Sequence, residues 1–189
     1  MTIISRDIKL AVRILRRGGI VAYPTESSYA MGCDATNPAA VRKIYALKKR
    51  PKKKQITVIV GSMKAAERHA LLSREDRNVV RKLMPGRLTL VCRSRNGGEF
   101  AFRIPLHKTA FALARRFSKP ITATSANISG KRPIHSTASL LKLYGGVIDM
   151  VLDGGTLPGN RASTVASMMN GIEIRRKGPV TKKQIEGAL

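Results

Sequence analysis

The stretch Leu47–Val60 reads LKKRPKKKQITVIV and lies between a helical pattern and a run of β-branched residues. Before it, Asn37-Pro38 is typical of a helix N-cap followed by a first-turn proline, and apolar residues then recur at helical spacing. We therefore predict a helix, a basic turn over Lys48–Lys54 and a buried strand over Ile56–Val60. Six of the seven turn residues are cationic. Such a turn is either a solvated loop or an entrance that receives a polyanion.

The same alternation of helical and strand patterns continues on both sides of this stretch. The sequence predicts further helices over Ser5–Arg17 with Ser5 as the cap, Met63–Leu71, Asp76–Met84 after a Ser73 cap, His107–Phe117, Thr137–Tyr144 and from Thr181. It predicts further strands over Ile20–Tyr23, Leu88–Cys92, Phe100–Ile104, Ile121–Thr124, Ile148–Leu152, Ser163–Met168 and Ile172–Arg176. The order indicates an α/β fold: one domain over residues 1–189, with a twisted mixed parallel and antiparallel sheet and flanking helices.

Charge is the strongest global feature of the chain. The 189 residues carry 36 Lys and Arg against 11 Asp and Glu, a formal net charge of +25. Candidate partners are therefore nucleic acid, nucleotide phosphates or an anionic membrane, although a generally basic or salt-adapted proteome would also account for the charge. The absence of Trp and the scarcity of other aromatics disfavour a single-strand binder built on stacked rings.

The number and spacing of the cysteines argue against a metal site and against a disulfide-stabilised fold. Cys33 and Cys92 are far apart and form no CxxC pair, so neither a zinc site nor a disulfide framework is expected. We expect Cys33 to be a buried thiol rather than a nucleophile.

The sequence has no apolar run of 18 residues and no N-terminal signal, which predicts a cytoplasmic protein without membrane contact.

Four segments are built from unlike polar residues, and each sits where a predicted strand ends. They are Tyr23–Asp34, Lys48–Lys54, Ala101–Pro105 and Thr122–Gly130. In open α/β sheets ligands bind beyond the strand ends, so these segments are expected to line one site. No glycine-rich phosphate loop is present, and side chains would have to hold a phosphate. Lys48, as a point charge, and Arg50, as a planar fork, suit that task.

The remaining candidate side chains are hydroxyls and an amide. Ser125-Ala126-Asn127 alternates polar and apolar residues, so the serine and asparagine would share one side of a strand. They could orient a charged substrate, or they could form an ordinary turn that satisfies its own backbone. Thr25, Ser27 and Ser28 allow the same two interpretations. A cationic, hydroxyl-rich site fits phosphoryl or nucleotidyl transfer, in which catalysis is mostly positioning and charge neutralisation.

The order of five motifs resembles the YrdC/TsaC family of threonylcarbamoyl-AMP synthases. The motifs YPTE…YxxGCDA, KxRP, PGxLTL, RIP and TSANISG all occur between Gly18 and Gly178. The resemblance implies a nucleotidyltransferase with a deep basic cavity that converts L-threonine, bicarbonate and ATP, with Mg²⁺, into threonylcarbamoyl-AMP and pyrophosphate. It also implies a role in tRNA threonylcarbamoyladenosine modification, affinity for tRNA, and a downstream threonylcarbamoyl transferase complex that takes up the product.

The same resemblance implies roles for individual residues. Catalytic roles fall on Lys48, Arg50, Ser125 and Asn127, and ATP binding falls on these four together with Lys54 and Arg176. Threonine binding falls on Thr25, Ser27, Arg103, Ala123 and Ser163, and the metal would be held through ATP rather than by protein side chains. The chain departs from the family pattern at Ser27, Ala30 and Ile59, where threonine, glycine and histidine are common.

Two other functions remain open from the sequence. One is a non-catalytic module that binds tRNA or double-stranded RNA on the same basic concave surface. The other is a carbamoyl-transfer domain of metalloenzyme maturation, which shares the fold. Those domains usually lie within much longer chains.

Overall fold

The computed structural model describes residues 1–51 and 53–189. The helices are α1 (Ile8–Arg16), α2 (Pro38–Leu47), α3 (Met63–Glu67), α4 (Arg74–Leu83), α5 (Lys108–Phe117), α6 (Thr137–Tyr144) and α7 (Lys182–Glu186). The strands are β1 (Ile3–Ser5), β2 (Val21–Pro24), β3 (Tyr29–Gly32), β4 (Val58–Ile59), β5 (Ala70–Leu71), β6 (Leu88–Ser94), β7 (Glu99–Arg103), β8 (Ile121–Thr122), β9 (Thr124–Ser125), β10 (Met150–Leu152), β11 (Thr164–Ser167) and β12 (Glu173–Arg176). Within the described ranges, each helix is too short or too polar to cross a bilayer.

The strands form two mixed sheets. The first has the order β1-β10-β2-β3-β9, and the second has the order β12-β11-β6-β7-β4-β8 with β5 paired to β6. Parallel pairs such as β10–β2 and β11–β6 occur beside antiparallel pairs such as β2–β3 and β6–β7. The predicted mixed sheet with flanking helices is therefore confirmed, but its strands divide between two sheets. The chain passes from the second sheet to the first at Ala123, between β8 and β9.

Each sheet is covered by helices because successive strand residues face opposite ways. On the first sheet, Val21 and Tyr23 pack with α1 and α5, whereas Ala22 packs with α2 and α6 on the other face. On the second sheet, Leu90 and Phe102 pack with α4 and α7. These three apolar clusters fix the strand ends from which the cavity described below is built.

Several predicted elements have different bounds in the structure. Ser5 does not cap α1. It ends β1, which pairs in parallel with β10, and Asp7 instead caps the helix by accepting the Lys9 N–H at 2.7 Å. The helix that begins at Met63 ends at Glu67, because the chain soon enters β5, where Ala70 and Leu71 pair with β6. Lys52, in the middle of the basic turn, lies outside the described residues.

Candidate active site

A cavity of about 300 Å³ lies where the two sheets meet. All four predicted polar segments contribute to its wall, and the late strands and loops complete it. Its lining residues are Thr25, Ser27, Ser28, Ala30, Arg50, Ile56, Thr57, Thr89, Arg103, Ala123, Thr124, Ser125, Pro133, His135, Asn160, Ala162, Ser163 and Arg176. Among these lining residues of the described chain none is an Asp or Glu, so the wall is cationic and rich in hydroxyls.

The C-terminus of α2 determines which basic side chains face this cavity. The Lys49 N–H donates to the Ala46 carbonyl and the Arg50 N–H donates to the Tyr45 carbonyl, each at 3.0 Å. This pair of bonds is a Schellman motif, and Lys49 has the left-handed φ of 48° that the motif requires. The reversal at Lys49 directs Lys48 into the protein, whereas the guanidinium of Arg50 reaches the cavity wall.

Lys48 is buried behind the cavity wall and is not among the described lining residues, whereas the sequence predicts that it points into the cavity. Its side chain is buried, with only 1% of the residue exposed. Its ammonium donates to the Ser125 carbonyl, to the Asn127 carbonyl at 2.6 Å and to Asn127 Oδ1 at 3.0 Å. Burial, together with the charge of Arg50, lowers the pKa of the Lys48 amine to about 8. These three oxygens accept from the Lys48 ammonium, whose N–H groups the sequence predicts to donate to a phosphate.

Arg50 lies at the cavity with part of its guanidinium already engaged. Nε donates to the Lys54 carbonyl at 3.0 Å and Nη2 donates to the Gln55 carbonyl at 2.8 Å. Lys54 itself is exposed and does not line the cavity, so the structure does not place its side chain with Arg50, Ser125 and Arg176, the predicted ATP ligands that do line it. Its carbonyl also accepts from the Tyr45 hydroxyl at 3.0 Å, which helps fix the basic turn to α2.

The Ser125 and Asn127 side chains contact each other, but β9 ends at Ser125, so they do not share one side of a strand, and only Ser125 lines the cavity. The Ser125 hydroxyl donates to Asn127 Oδ1 at 2.6 Å. Asn127 is buried behind it, and its Nδ2 donates to the Lys131 carbonyl. The asparagine therefore contacts the cavity through the serine rather than directly.

Two arginines from the second sheet meet at Ser163. Arg103 Nη1 donates to the Ser163 hydroxyl at 3.1 Å. Arg176 donates to the Ser163 carbonyl through Nε at 3.0 Å and Nη2 at 2.8 Å. All three predicted residues line the cavity, which places two guanidinium groups side by side on one wall.

The carboxylate of Glu26 lies behind this wall and partly balances the charge. Glu26 Oε2 accepts from Arg103 Nη1 at 2.7 Å, and Oε1 accepts from the backbone N–H groups of Leu106 and His107 at the start of α5. Burial raises the pKa of the Glu26 carboxyl, but Arg103 and the backbone donors outweigh burial and hold that pKa below its ordinary value. Both Arg103 contacts use Nη1, so within the described chain Nε and Nη2 remain for a ligand.

The predicted threonine-binding hydroxyls are partly committed to their own turn. The Thr25 hydroxyl donates to the Ser28 carbonyl at 2.7 Å and lies 3.5 Å from the Ser27 hydroxyl. Both backbone groups of Ala123 are hydrogen-bonded to Thr57. The Ala123 N–H donates to the Thr57 carbonyl at 2.7 Å, and the Ala123 carbonyl accepts from the Thr57 hydroxyl at 2.8 Å. These residues line the cavity, and Ser27 retains the least constrained hydroxyl of the group.

Sequence reasoning missed several lining residues. Thr57 and Thr89 lie in or beside apolar strands, so the pattern predicts them as strand residues and does not mark them as site residues. Asn160 follows Pro158-Gly159, a turn signal that could have drawn attention to it, and its Nδ2 donates to the Glu26 carbonyl at 3.1 Å. Glu26 is part of the YPTE motif, but its partner Arg103 is 77 residues away.

The Cys33 thiol and the potential metal-binding side chains add no further candidate site within the described residues. Cys33 is buried, as predicted, and burial raises the pKa of its thiol to about 11. Within the described residues, no group of three or more His, Cys, Asp or Glu side chains is arranged to hold a metal ion.

Comparison with known proteins identifies close relatives. The threonylcarbamoyl-AMP synthase of Methylococcus capsulatus is 35% identical over 178 residues, which cover 89% of this chain and 96% of that protein. The synthase of Bacillus subtilis is 34% identical over 97% of this chain but 56% of its own length. P. abyssi Sua5 complexed with L-threonine superposes with a TM-score of 0.90 at 29% identity.

The extent of these matches differs among the relatives. This chain aligns over its whole length with the P. abyssi protein but spans 61% of that longer chain. E. coli YciO shares the fold along its entire length, with a TM-score of 0.85 at 21% identity. The family described as telomere recombination (Sua5/YciO/YrdC) matches residues 13–178. The chain belongs to the Sua5/YciO/YrdC family.

Proposed function

We propose that this protein is a threonylcarbamoyl-AMP synthase, which joins L-threonine, bicarbonate and ATP into threonylcarbamoyl-AMP and pyrophosphate. The observation that supports it is the convergence of Arg50, Arg103 and Arg176 with serine hydroxyls on one cavity without a carboxylate among its described lining residues. The curated relatives with this name, matched over most of their length, support the same activity. In chemical class the reaction is a nucleotidyl transfer.

The chemistry explains why such a cavity needs several cations. Threonine and bicarbonate give a carbamate, an anion that must approach the α-phosphate of a highly charged nucleotide. Two unit charges about 4 Å apart repel by about 4 kcal/mol at an effective dielectric constant of 20. Fixed guanidinium groups and hydroxyl donors offset this repulsion without a protein general base, and close placement of the reactants supplies much of the remaining acceleration.

The wall suggests a division between the two substrates. We assign the threonine carboxylate to Arg103, whose Nε and Nη2 make no hydrogen bond to the described residues and whose charge is partly balanced by Glu26. We assign the nucleotide phosphates to Arg50 and Arg176, whose guanidinium groups also line the cavity and lack a paired carboxylate within the described residues. Mg²⁺ would arrive with ATP, because this ion is usually held by substrate phosphates and water with few protein ligands.

The large positive charge extends the proposal to partners. With 36 basic against 11 acidic residues, the surface would attract tRNA through its phosphates. We further propose that a threonylcarbamoyl transferase complex takes up the product. A purely RNA-binding module is the second candidate, and the same charge supports it.

Pyrophosphate release tests the proposal directly. The protein is incubated with ATP, Mg²⁺ and bicarbonate, with and without L-threonine, and threonine-dependent release is expected. Arg103→Met should abolish most of this release by raising the threonine concentration required. Arg116→Met, which removes the same charge from the exposed face of α5, is the matched control and should retain wild-type release.

The RNA alternative makes a different prediction. If folded wild-type protein releases no pyrophosphate with threonine but binds tRNA with a steep inverse dependence on salt, the synthase proposal is wrong and the binding module is supported.

A further inference from the structure

We infer that Lys48 is a positioning residue for the Ser125–Asn127 segment and does not itself meet the nucleotide phosphates, which were assigned above to Arg50 and Arg176. The inference rests on the proposed function for its substrate, but its geometric part stands without it. It assigns different roles to Lys48 and Arg50, which are separated by one residue. Lys49, which lies between them, has a left-handed φ of 48°, and the two side chains have different surroundings, since Lys48 is buried and Arg50 lines the cavity.

Lys48 joins the basic turn to the Ser125–Asn127 segment by both its side chain and its backbone. The ammonium donates to the carbonyls of Ser125 and Asn127 and to Asn127 Oδ1. The Lys48 carbonyl accepts the Ser129 N–H at 2.8 Å. The segment is therefore fixed on both sides of Asn127 by one residue of α2's C-terminus.

The buried ammonium is well matched to this structural task. An ammonium has three N–H donors, and Lys48 has three oxygen acceptors around it. If it turned to a phosphate, the Ser125 and Asn127 carbonyls would lose this donor and Asn127 Oδ1 would keep only the Ser125 hydroxyl, and unsatisfied buried groups are costly. The Arg50 guanidinium has a shorter path to the ligand, because it already lines the cavity.

The contacts also set the polarity of Ser125. Asn127 Oδ1 accepts from Lys48 Nζ at 3.0 Å and from the Ser125 hydroxyl at 2.6 Å, and Asn127 Nδ2 donates to the Lys131 carbonyl. Donors on one side and an acceptor on the other leave one orientation of the amide. Because the serine proton is directed to Oδ1, the Ser125 oxygen presents its lone pairs to the cavity. Ser125 is thus arranged to accept a hydrogen bond from a substrate N–H or O–H.

A labelling experiment on the wild-type protein tests the placement of Lys48 without a substitution. The folded protein is methylated reductively with formaldehyde and a borane, with and without tripolyphosphate, and each lysine is followed by peptide mass spectrometry. Lys43 and Lys49 are exposed and should be methylated early, whereas Lys48 should stay unmodified in both samples. Methylation of Lys48 at the rate of Lys43, with protection by tripolyphosphate, would overturn the inference.

Matched variants test the division of labour. Tripolyphosphate affinity, measured by calorimetry, should stay within about twofold in Lys48→Met and fall about tenfold in Arg50→Met. Lys43→Met removes one charge from the exposed face of α2 and corrects for the change in net charge. If Lys48→Met weakens tripolyphosphate binding as much as Arg50→Met does, Lys48 contacts the phosphates and the inference is wrong.

Two further measurements separate positioning from misfolding and from a failed function. In Lys48→Met, amide hydrogen exchange should accelerate over residues 125–131 while the amides of β6 keep wild-type protection. Threonine-dependent pyrophosphate release should fall about tenfold or more in kcat, with a small change in the KM for ATP. If wild-type protein releases no pyrophosphate, the proposed function fails, whereas the labelling, affinity and exchange results still decide the role of Lys48.

Discussion

Arg103 and Glu26 form an ion pair of 2.7 Å at the cavity wall, with side chains that are only 10% and 9% exposed. The pair links the end of β7 to the polar segment after β2, and the same carboxylate accepts two N–H groups at the start of α5. Glu26 therefore determines where the guanidinium of Arg103 lies, even though the carboxylate is not among the described lining residues.

Substituting Glu26→Gln should raise the KM for threonine about tenfold, because Arg103 loses the charge that holds it. The glutamine oxygen can still accept from the start of α5, so kcat should change less. Stability should fall by about 3 kcal/mol, since breaking a buried pair leaves an uncompensated charge. Steady-state kinetics and urea unfolding measure the two effects.

Glu67→Gln is the control for that variant. Glu67 pairs with Arg77 at 2.8 Å on the surface, with side chains 30% and 40% exposed, and such pairs contribute about 1 kcal/mol or less. Equal losses of stability in the two variants would contradict a special role for the buried pair.

The pH dependence of stability offers a second test of the Glu26–Arg103 pair. The pKa of Glu26 lies below its ordinary value of 4.5 in the folded protein. The pair's contribution is therefore fully present above pH 4.5 and is lost as the pH falls through the folded pKa. The difference in unfolding free energy between wild type and Glu26→Gln should shrink below pH 4.5. A difference that is constant down to pH 3 would show that the carboxylate charge does not matter.

Lys49→Gly should stabilise the protein by about 1 kcal/mol, because glycine adopts a left-handed φ without the steric cost that Lys49 bears at 48°. Lys43→Gly, on the exposed face in the interior of α2, should destabilise by a similar amount because glycine is a poor helix former. Thermal unfolding of both variants measures the contrast. If both substitutions are destabilising to the same degree, the left-handed turn is not what Lys49 contributes.

Gly178→Ala should disturb the wall that carries the two arginines. A Cβ at residue 178 would lie 2.6 Å from the Ser163 carbonyl carbon and 2.7 Å from the Ala162 carbonyl oxygen, and it would also meet the Thr164 nitrogen. The backbone at Ser163 would have to move, and with it the oxygens that hold Arg103 and Arg176. We expect loss of both stability and pyrophosphate release, measured by unfolding and by the release assay.

Gly187→Ala is the corresponding control. A Cβ there would meet its first neighbour at 3.5 Å, an ordinary contact, so both properties should be retained. Wild-type behaviour of Gly178→Ala would mean that the Ser163 backbone does not need its observed position.

Much of the fold is readable from local sequence because local signals and burial agree. Asn37-Pro38 begins α2 and Ser73 caps α4, as their chemistry predicts. No local pattern predicts β3, because Tyr29–Gly32 is buried on both faces and its residues do not alternate. Ser5 has the chemistry of a cap, yet it lies in a strand, because β1 pairs with β10, about 147 residues away in the sequence.

The candidate site divides in the same way. The convergence of the four polar segments is predictable, since each lies at the end of an element. The orientation of Lys48 is not, because it depends on one backbone angle at Lys49 and on acceptors near residue 127. The Glu26–Arg103 pair and the meeting of two arginines at Ser163 exist only in the tertiary structure.

Ser163 touches one arginine with its hydroxyl and the other with its carbonyl. Any shift that one bound substrate imposes on this residue is transmitted to the other arginine. Occupancy of the amino-acid half should therefore change the dissociation constant of the nucleotide, and thermodynamic reciprocity requires an equal factor in the opposite direction.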